Sequence, residues 1–200
     1  MSVSAADVKA LRDQTGAAMM DCKAALTESE GDVDRAIEIL RVKGQASAAK
    51  REGRGTDEGV VAAYIHANDK VGAMVEVQCE TDFVARNEDF RAFAYEIALH
   101  VAATSPRYVS AEEIPAEERE AEKRVFEEKA REDGKPDNVV EKIVEGQLSK
   151  WASEVALLDQ AHVNADKHDS KSIEELRQEL AAKTGENIRI ARFSYFRVGG

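Results

Sequence analysis

The sequence predicts an α+β protein on three observations. Helical periodicity divides residues 4–43 into three short helices, two β-rich runs flank a polar turn between residues 60 and 79, and a last β-rich run spans residues 187–198. Ser4, with Asp7 three positions on, resembles a capping box, and Val8 and Leu11 share one face of the first helix, which Thr15-Gly16 breaks. Ala18, Cys22, Ala25 and Leu26 make the inward stripe of the second. Gly31-Asp32 supplies a stop and a new N-cap, and the third helix turns Val33, Ile37 and Leu40 inward and ends at Gly44. A three-helix module of this size is marginal alone by surface-to-volume scaling. From Gln45 to Glu58 the apolar residues are alanines among glycines and charges, which is linker composition. The expected organisation is therefore a helical domain at 1–44, a linker at 45–58 and a core domain at 59–200.

Within the core, Val60–His66 and Val71–Cys79 surround Ala67-Asn68-Asp69-Lys70 as a hairpin, with Met74 out of phase with Val75, Val77 and Cys79. One hairpin face should be the more deeply buried. Next comes a helix capped by Asn87, whose Phe90, Phe93, Ala94, Ile97, Ala98 and Val101 recur at helical spacing and must pack on the sheet. An acid-rich stretch at 110–133, the turn Gly134-Lys135-Pro136 and the amphipathic run Val139–Val155 together predict a helical hairpin. The last helix opens at Ser172, with Glu175 completing a capping box, and stops at Thr184-Gly185. In the final strand Ile188 and Ile190 keep one phase, Phe193 and Tyr195 the other. Either a bulge lies near Ala191 or both faces are covered.

Composition narrows the function. With 43% hydrophobic residues in 200, the chain can bury a sizeable core. A net charge of −11 disfavours general binding to phosphate backbones, and no apolar run is long enough to span a bilayer, so a protein partner and a cytoplasmic location are expected. The basic segment Lys43, Lys50, Arg51 and Arg54 reads as a solvated linker. Cys22 and Cys79 read as buried thiols in a reducing compartment. Catalytic signatures are missing: His66, His100, His162 and His168 have no ligand spacing with the cysteines, Gly53-Arg54-Gly55 lacks the Lys-Ser/Thr of a phosphate loop, and no nucleophile elbow occurs. Neither enzymatic activity nor a cofactor or metal site is expected.

The most informative segment is Thr81-Asp82-Phe83-Val84-Ala85-Arg86-Asn87, which carries a large aromatic past the end of a strand and into a turn. Phe83 either folds back under the Phe90 helix or stands free for a partner, and the residues alone leave both open. Met19 and Met20 pose the same alternative, core or surface.

Three blocks decide the comparison with known families: Leu11 to Leu26 (LRDQTGAAMMDCKAAL), Cys79 to Asn87, and Lys183-Thr184-Gly185-Glu186-Asn187-Ile188. In order and spacing they resemble the bacterial elongation factor Ts family, the nucleotide-exchange factors of elongation factor Tu, over essentially the whole chain. The resemblance implies a ubiquitin-associated-like three-helix domain, then a core with a three-stranded antiparallel sheet packed with helices and a helical hairpin. It further implies the short, single-core form, a homodimer with paired sheet surfaces, and a two-plus-two complex with Tu. Thr81, Asp82, Phe83 and Val84 would wedge into Tu's nucleotide domain and disturb its magnesium site; Leu11, Met19 and Met20, in the N-terminal block, would contact the same domain. The chain departs from the family pattern at Leu157–Val163, where an aromatic is expected near His162.

The free energies say that one aromatic is not enough. Raising nucleotide dissociation by a factor of roughly 10⁴ takes about 5.5 kcal/mol, whereas burying one phenylalanine contributes about 1.5–3 kcal/mol. A second anchor is required, and methionines, which adapt to partner surfaces, are the candidates. The alternative reading makes the first forty residues a ubiquitin-type adaptor on a dimerisation scaffold; capture of Tu, competed by GDP, separates the two.

Overall fold

The computed structural model describes residues 3–134 and 136–199. Met1, Ser2, Gly200 and Lys135, the middle residue of the expected Gly134-Lys135-Pro136 turn, lie outside them. Two compact units are present, one of Met1–Val60, Val77–Phe93 and Glu175–Arg189, the other of Val61–Glu76, Ala94–Glu174 and Ile190–Gly200.

The first unit opens with α1 (Ala5–Thr15), α2 (Met19–Glu28) and α3 (Val33–Ala49). Ser4 caps α1 as expected: its hydroxyl accepts the Asp7 N–H, and the Asp7 carboxylate accepts the Ser4 N–H. Gly16 ends the helix at φ +70°, a conformation that side chains with a Cβ resist. Val8, Leu11, Cys22, Ala25, Leu26, Ala36 and Leu40 form the core of the module, with Ile37 and Ile39 at its margin.

Three expectations need correcting. Ala18 is the exposed N-cap of α2 rather than part of its inward stripe. Val33, on the first turn of α3, is exposed, and Ala36 takes the core position. Helix α3 also runs past Gly44 through the alanines of the expected linker, because alanine has the highest helix propensity. Gly44 sits near Ala182, and a Cβ on it would make an ordinary contact, 3.7 Å from that of Ala182. The basic segment is partly engaged as well, since Lys43 pairs with Glu28 at 2.7 Å and Arg54 with Glu80 at 3.3 Å.

Strands β1 (Glu58–Ile65), β2 (Val71–Cys79) and β3 (Arg189–Arg197) form one antiparallel sheet in that order, with β2 central. The turn between β1 and β2 closes through the His66 N–H to the Val71 carbonyl at 2.8 Å, with Asp69 at φ +57°. Ala73, Val75, Val77 and Cys79 are buried and Met74 is exposed, as the alternation predicted. On β3 the phase changes after Ile190: Ile190 is buried, and Ala191, Phe193 and Tyr195 then share the partly buried set.

A one-turn helix, α4 (Asp82–Ala85), precedes the long α5 (Glu88–Thr104). Asn87 caps α5, its side-chain oxygen accepting the Asp89 N–H at 2.8 Å, and Phe90, Ala94, Ile97, Ala98 and Val101 are all fully buried. In the second unit α6 (Ala116–Glu132) and α7 (Asp137–Val155) make the predicted helical hairpin, packed through Phe126, Ala130, Val140, Val144 and Leu148. Its base is closed by Arg107 and Tyr108 N–H groups donating to the Val155 carbonyl. A short α8 (Ala165–His168) follows, then α9 (Ile173–Thr184), which ends at Gly185. Among the described residues no helix is long and apolar enough to cross a membrane.

Candidate partner-binding site

Strand β2 ends at Cys79 and the backbone turns at once into α4. Thr81 is its N-cap, with extended backbone and a side-chain oxygen that accepts the Val84 N–H at 3.5 Å. The turn is closed by Ala85 N–H to Thr81 carbonyl (3.2 Å) and Arg86 N–H to Asp82 carbonyl (3.1 Å). Ala85 is buried and fastens the turn, while the Arg91 guanidinium donates to its carbonyl at 3.3 Å. Those bonds leave Phe83 standing out from the turn.

Phe83 is 82% exposed, and Phe90, seven residues on, is 0% exposed. The core place under α5 therefore belongs to Phe90, which disposes of the alternative that folds Phe83 back. Asp82 sits beside it, paired with Arg86 at 3.0 Å along the helix turn, and Val84 is half-buried. An exposed phenylalanine on a hydrogen-bonded turn loses little conformational freedom on binding, which is the condition for an effective anchor.

A set of polar contacts holds the turn from beneath. The Glu186 carboxylate accepts the Glu80 N–H (3.0 Å) and Thr81 N–H (3.1 Å) through one oxygen, and the Thr81 hydroxyl (2.6 Å) through the other. In return the Glu80 carboxylate accepts the Asn187 N–H at 2.6 Å. Asn187 is itself tied down, donating from its side chain to the Arg54 carbonyl at 3.0 Å. The buried Cys79 thiol donates to the Thr81 carbonyl at 3.2 Å, and burial, reinforced by the Glu186 charge, pushes its pKa up to about 11, so this cysteine packs rather than reacts. In the sequence the signal for Glu186 and Asn187 is slight: two polar residues directly after a helix-ending glycine.

The N-terminal candidates separate. Met19 is 50% and Met20 72% exposed on the first turn of α2, whereas Leu11 is 1% exposed in the module's core. Leu11 thus offers no contact surface. It packs on the inward stripe of α2, and its carbonyl accepts the Thr15 hydroxyl at 2.8 Å in the turn that leads to Met19.

The structure also gathers three histidines that the sequence treated singly. His100 and His162 stack at 5.3 Å between ring centres, and His162 meets His168 edge-on at 4.3 Å. Glu96, His162 and His168 bring possible ligand atoms within 4.8 Å of one another. However, His162 Nδ1 accepts the Asn164 N–H at 3.1 Å, which puts the ring proton on Nε2 and removes the lone pair that a metal would need there. Glu96 already binds His168, at 2.6 Å, and Lys167. The cluster is a Glu96–Lys167 ion pair and a Glu96–His168 hydrogen bond beside the stacked rings of His100 and His162.

A family model described as "Elongation factor TS" matches residues 2–169. The chain belongs to the elongation factor Ts family. Over its full length it is 50% identical to elongation factor Ts of Geobacter sulfurreducens, covering 91% of that protein. It is 52% identical to that of Herpetosiphon aurantiacus, covering 99%, and 48% identical to that of Thermotoga neapolitana, covering 98%. The family function, nucleotide exchange on elongation factor Tu during translation elongation, is the function of this chain, and it is a binding activity rather than an enzymatic one.

Proposed function

We propose that the Thr81–Val84 turn is the element that dislodges the nucleotide, entering the nucleotide domain of Tu with Phe83 as its anchor and Asp82 as its polar edge. Tu holds GDP through a phosphate loop and a magnesium ion that keeps several of its waters, a coordination sensitive to small displacements. A wedge that occupies the space beside it raises the free energy of the GDP-bound state. Because the coupling is reciprocal, GDP must weaken the factor's binding by the same factor. Met19 and Met20 supply the second anchor that the free-energy comparison demands. The observation that carries the proposal is the exposure of Phe83 on a turn fixed by its own hydrogen bonds.

The same proposal includes a homodimer engaging two copies of Tu in the cytoplasm. Val61 and Ile65 of β1, Met74 of β2 and Phe196 of β3 are exposed on one sheet, and an apolar sheet surface of this kind favours burial against a second copy.

Stopped-flow release of a fluorescent GDP from Tu tests the wedge. Phe83→Ala should keep the wild-type melting temperature and slow maximal release by roughly ten- to a hundredfold, the loss expected for one buried phenylalanine. Unchanged release with a folded variant would remove Phe83 from the exchange step.

A further inference from the structure

We propose that Glu186 is a positioning residue for exchange: its carboxylate sets the direction in which the turn presents Phe83. This rests on the reading of that turn as the wedge. Three donors converge on the one side chain, two backbone N–H groups at 3.0 and 3.1 Å and the Thr81 hydroxyl at 2.6 Å. A carboxylate fits such a site because it accepts through both oxygens and donates nothing, and bonds to an ionised acceptor are about twice as strong as neutral ones.

Continuity of the bonds links this carboxylate to Phe83. Thr81 donates its hydroxyl proton to Glu186 and turns an oxygen lone pair toward the Val84 N–H. Glu186 thereby fixes the residues on both sides of Asp82 and Phe83, Thr81 directly and Val84 through Thr81. Its own place is set by the chain: Gly185, at φ +76°, ends α9 in the left-handed conformation and its N–H donates to the Ala181 carbonyl at 2.9 Å, so that Glu186 leaves the helix at once. The neighbouring Asn187 N–H then binds Glu80 at 2.6 Å. Each segment offers a carboxylate to the other's backbone, and this mutual clasp resists both translation and rotation of the turn. A wedge that swivels would spread its contact energy over many orientations; a clasped one delivers it in a single orientation.

Glu186→Ala should slow maximal GDP release by about tenfold, the scale of a lost charge-assisted bond. Glu186→Gln, which keeps an acceptor for the two backbone N–H groups and donates to the Thr81 hydroxyl instead, should slow it about threefold and serves as the reading if the alanine variant does not fold. The deciding readout is a cycle with Phe83→Ala: a residue that acts through the placement of Phe83 has little further effect once Phe83 is gone. The same slowing by the Glu186 variant in both backgrounds would overturn the proposal, as would wild-type release from folded Glu186→Ala when Phe83→Ala is slow. A silent Phe83→Ala would instead overturn the wedge itself and this inference with it.

Discussion

The turn at Phe83 and the outer side of the sheet both expose large apolar side chains, and they do so in different surroundings. At the turn one aromatic projects alone, and around it the backbone is bonded at nearly every step, through Thr81, Glu186, Ala85 and Asn187. On the sheet, Val61, Ile65, Met74 and Phe196 spread over three strands with Arg192 and Glu76 paired among them at 2.6 Å. An isolated, braced side chain suits insertion into a pocket. A flat, shared patch suits cover by another flat patch. Exposure is common to both regions; the polar framework beneath the residue is what differs.

The largest effect that would break this contrast belongs to the sheet. Phe196→Asp puts a charge where the proposed dimer buries an aromatic, so light scattering should move from the dimer mass to the monomer mass, with association weakened about a hundredfold. GDP release per bound monomer should hardly change. A variant that stayed dimeric would place the dimer contact elsewhere.

A smaller effect belongs to the turn. Asp82 is paired with Arg86 at the surface, and such pairs contribute little. Asp82→Ala should therefore slow GDP release by about three- to tenfold, less than Phe83→Ala does. Equal or reversed losses would count against ranking the aromatic above the polar edge.

The smallest concerns acid. Burial holds the His100 pKa down at about 4, against the Gln160 hydrogen bond that raises it, and burial also lowers that of His162. Both rings are held neutral in the fold and take up protons more readily once unfolded, so stability is full above the ordinary value of 6.5 and declines as pH falls below it. Urea unfolding should lose roughly 1–2 kcal/mol from His100 between pH 7 and pH 5, with His162 acting in the same direction, and His100→Gln should flatten the curve. No histidine belongs to the bonds that brace Phe83, so exchange per folded molecule should hold steady over that range.

Local signals in the sequence were read correctly where a few neighbouring residues determine the outcome. The Ser4–Asp7 capping box, the Gly16 stop, the Asn87 cap, the α5 stripe and the alternation of β2 all depend on contacts within one element. Failures came where packing of separate segments decides. Val33 has helical periodicity yet faces water, Leu11 lies in a family block yet packs in the core, and α3 continues because alanines have no reason to stop. The clasp joins Thr81 to Glu186 across 105 positions and the histidine stack joins three separate segments, so no spacing rule reaches either. For Phe83 the sequence named the residue but not its exposure, because only the occupation of the core by Phe90 settles it.

The most direct measurement is the solvent exposure of Phe83 in a crystal structure of this chain bound to nucleotide-free Tu. Its ring, 82% exposed in the free chain, should be buried in Tu's nucleotide domain beside the magnesium site, on a turn still clasped by Glu186. A ring that remained in solvent, or that lay against its own subunit, would contradict it.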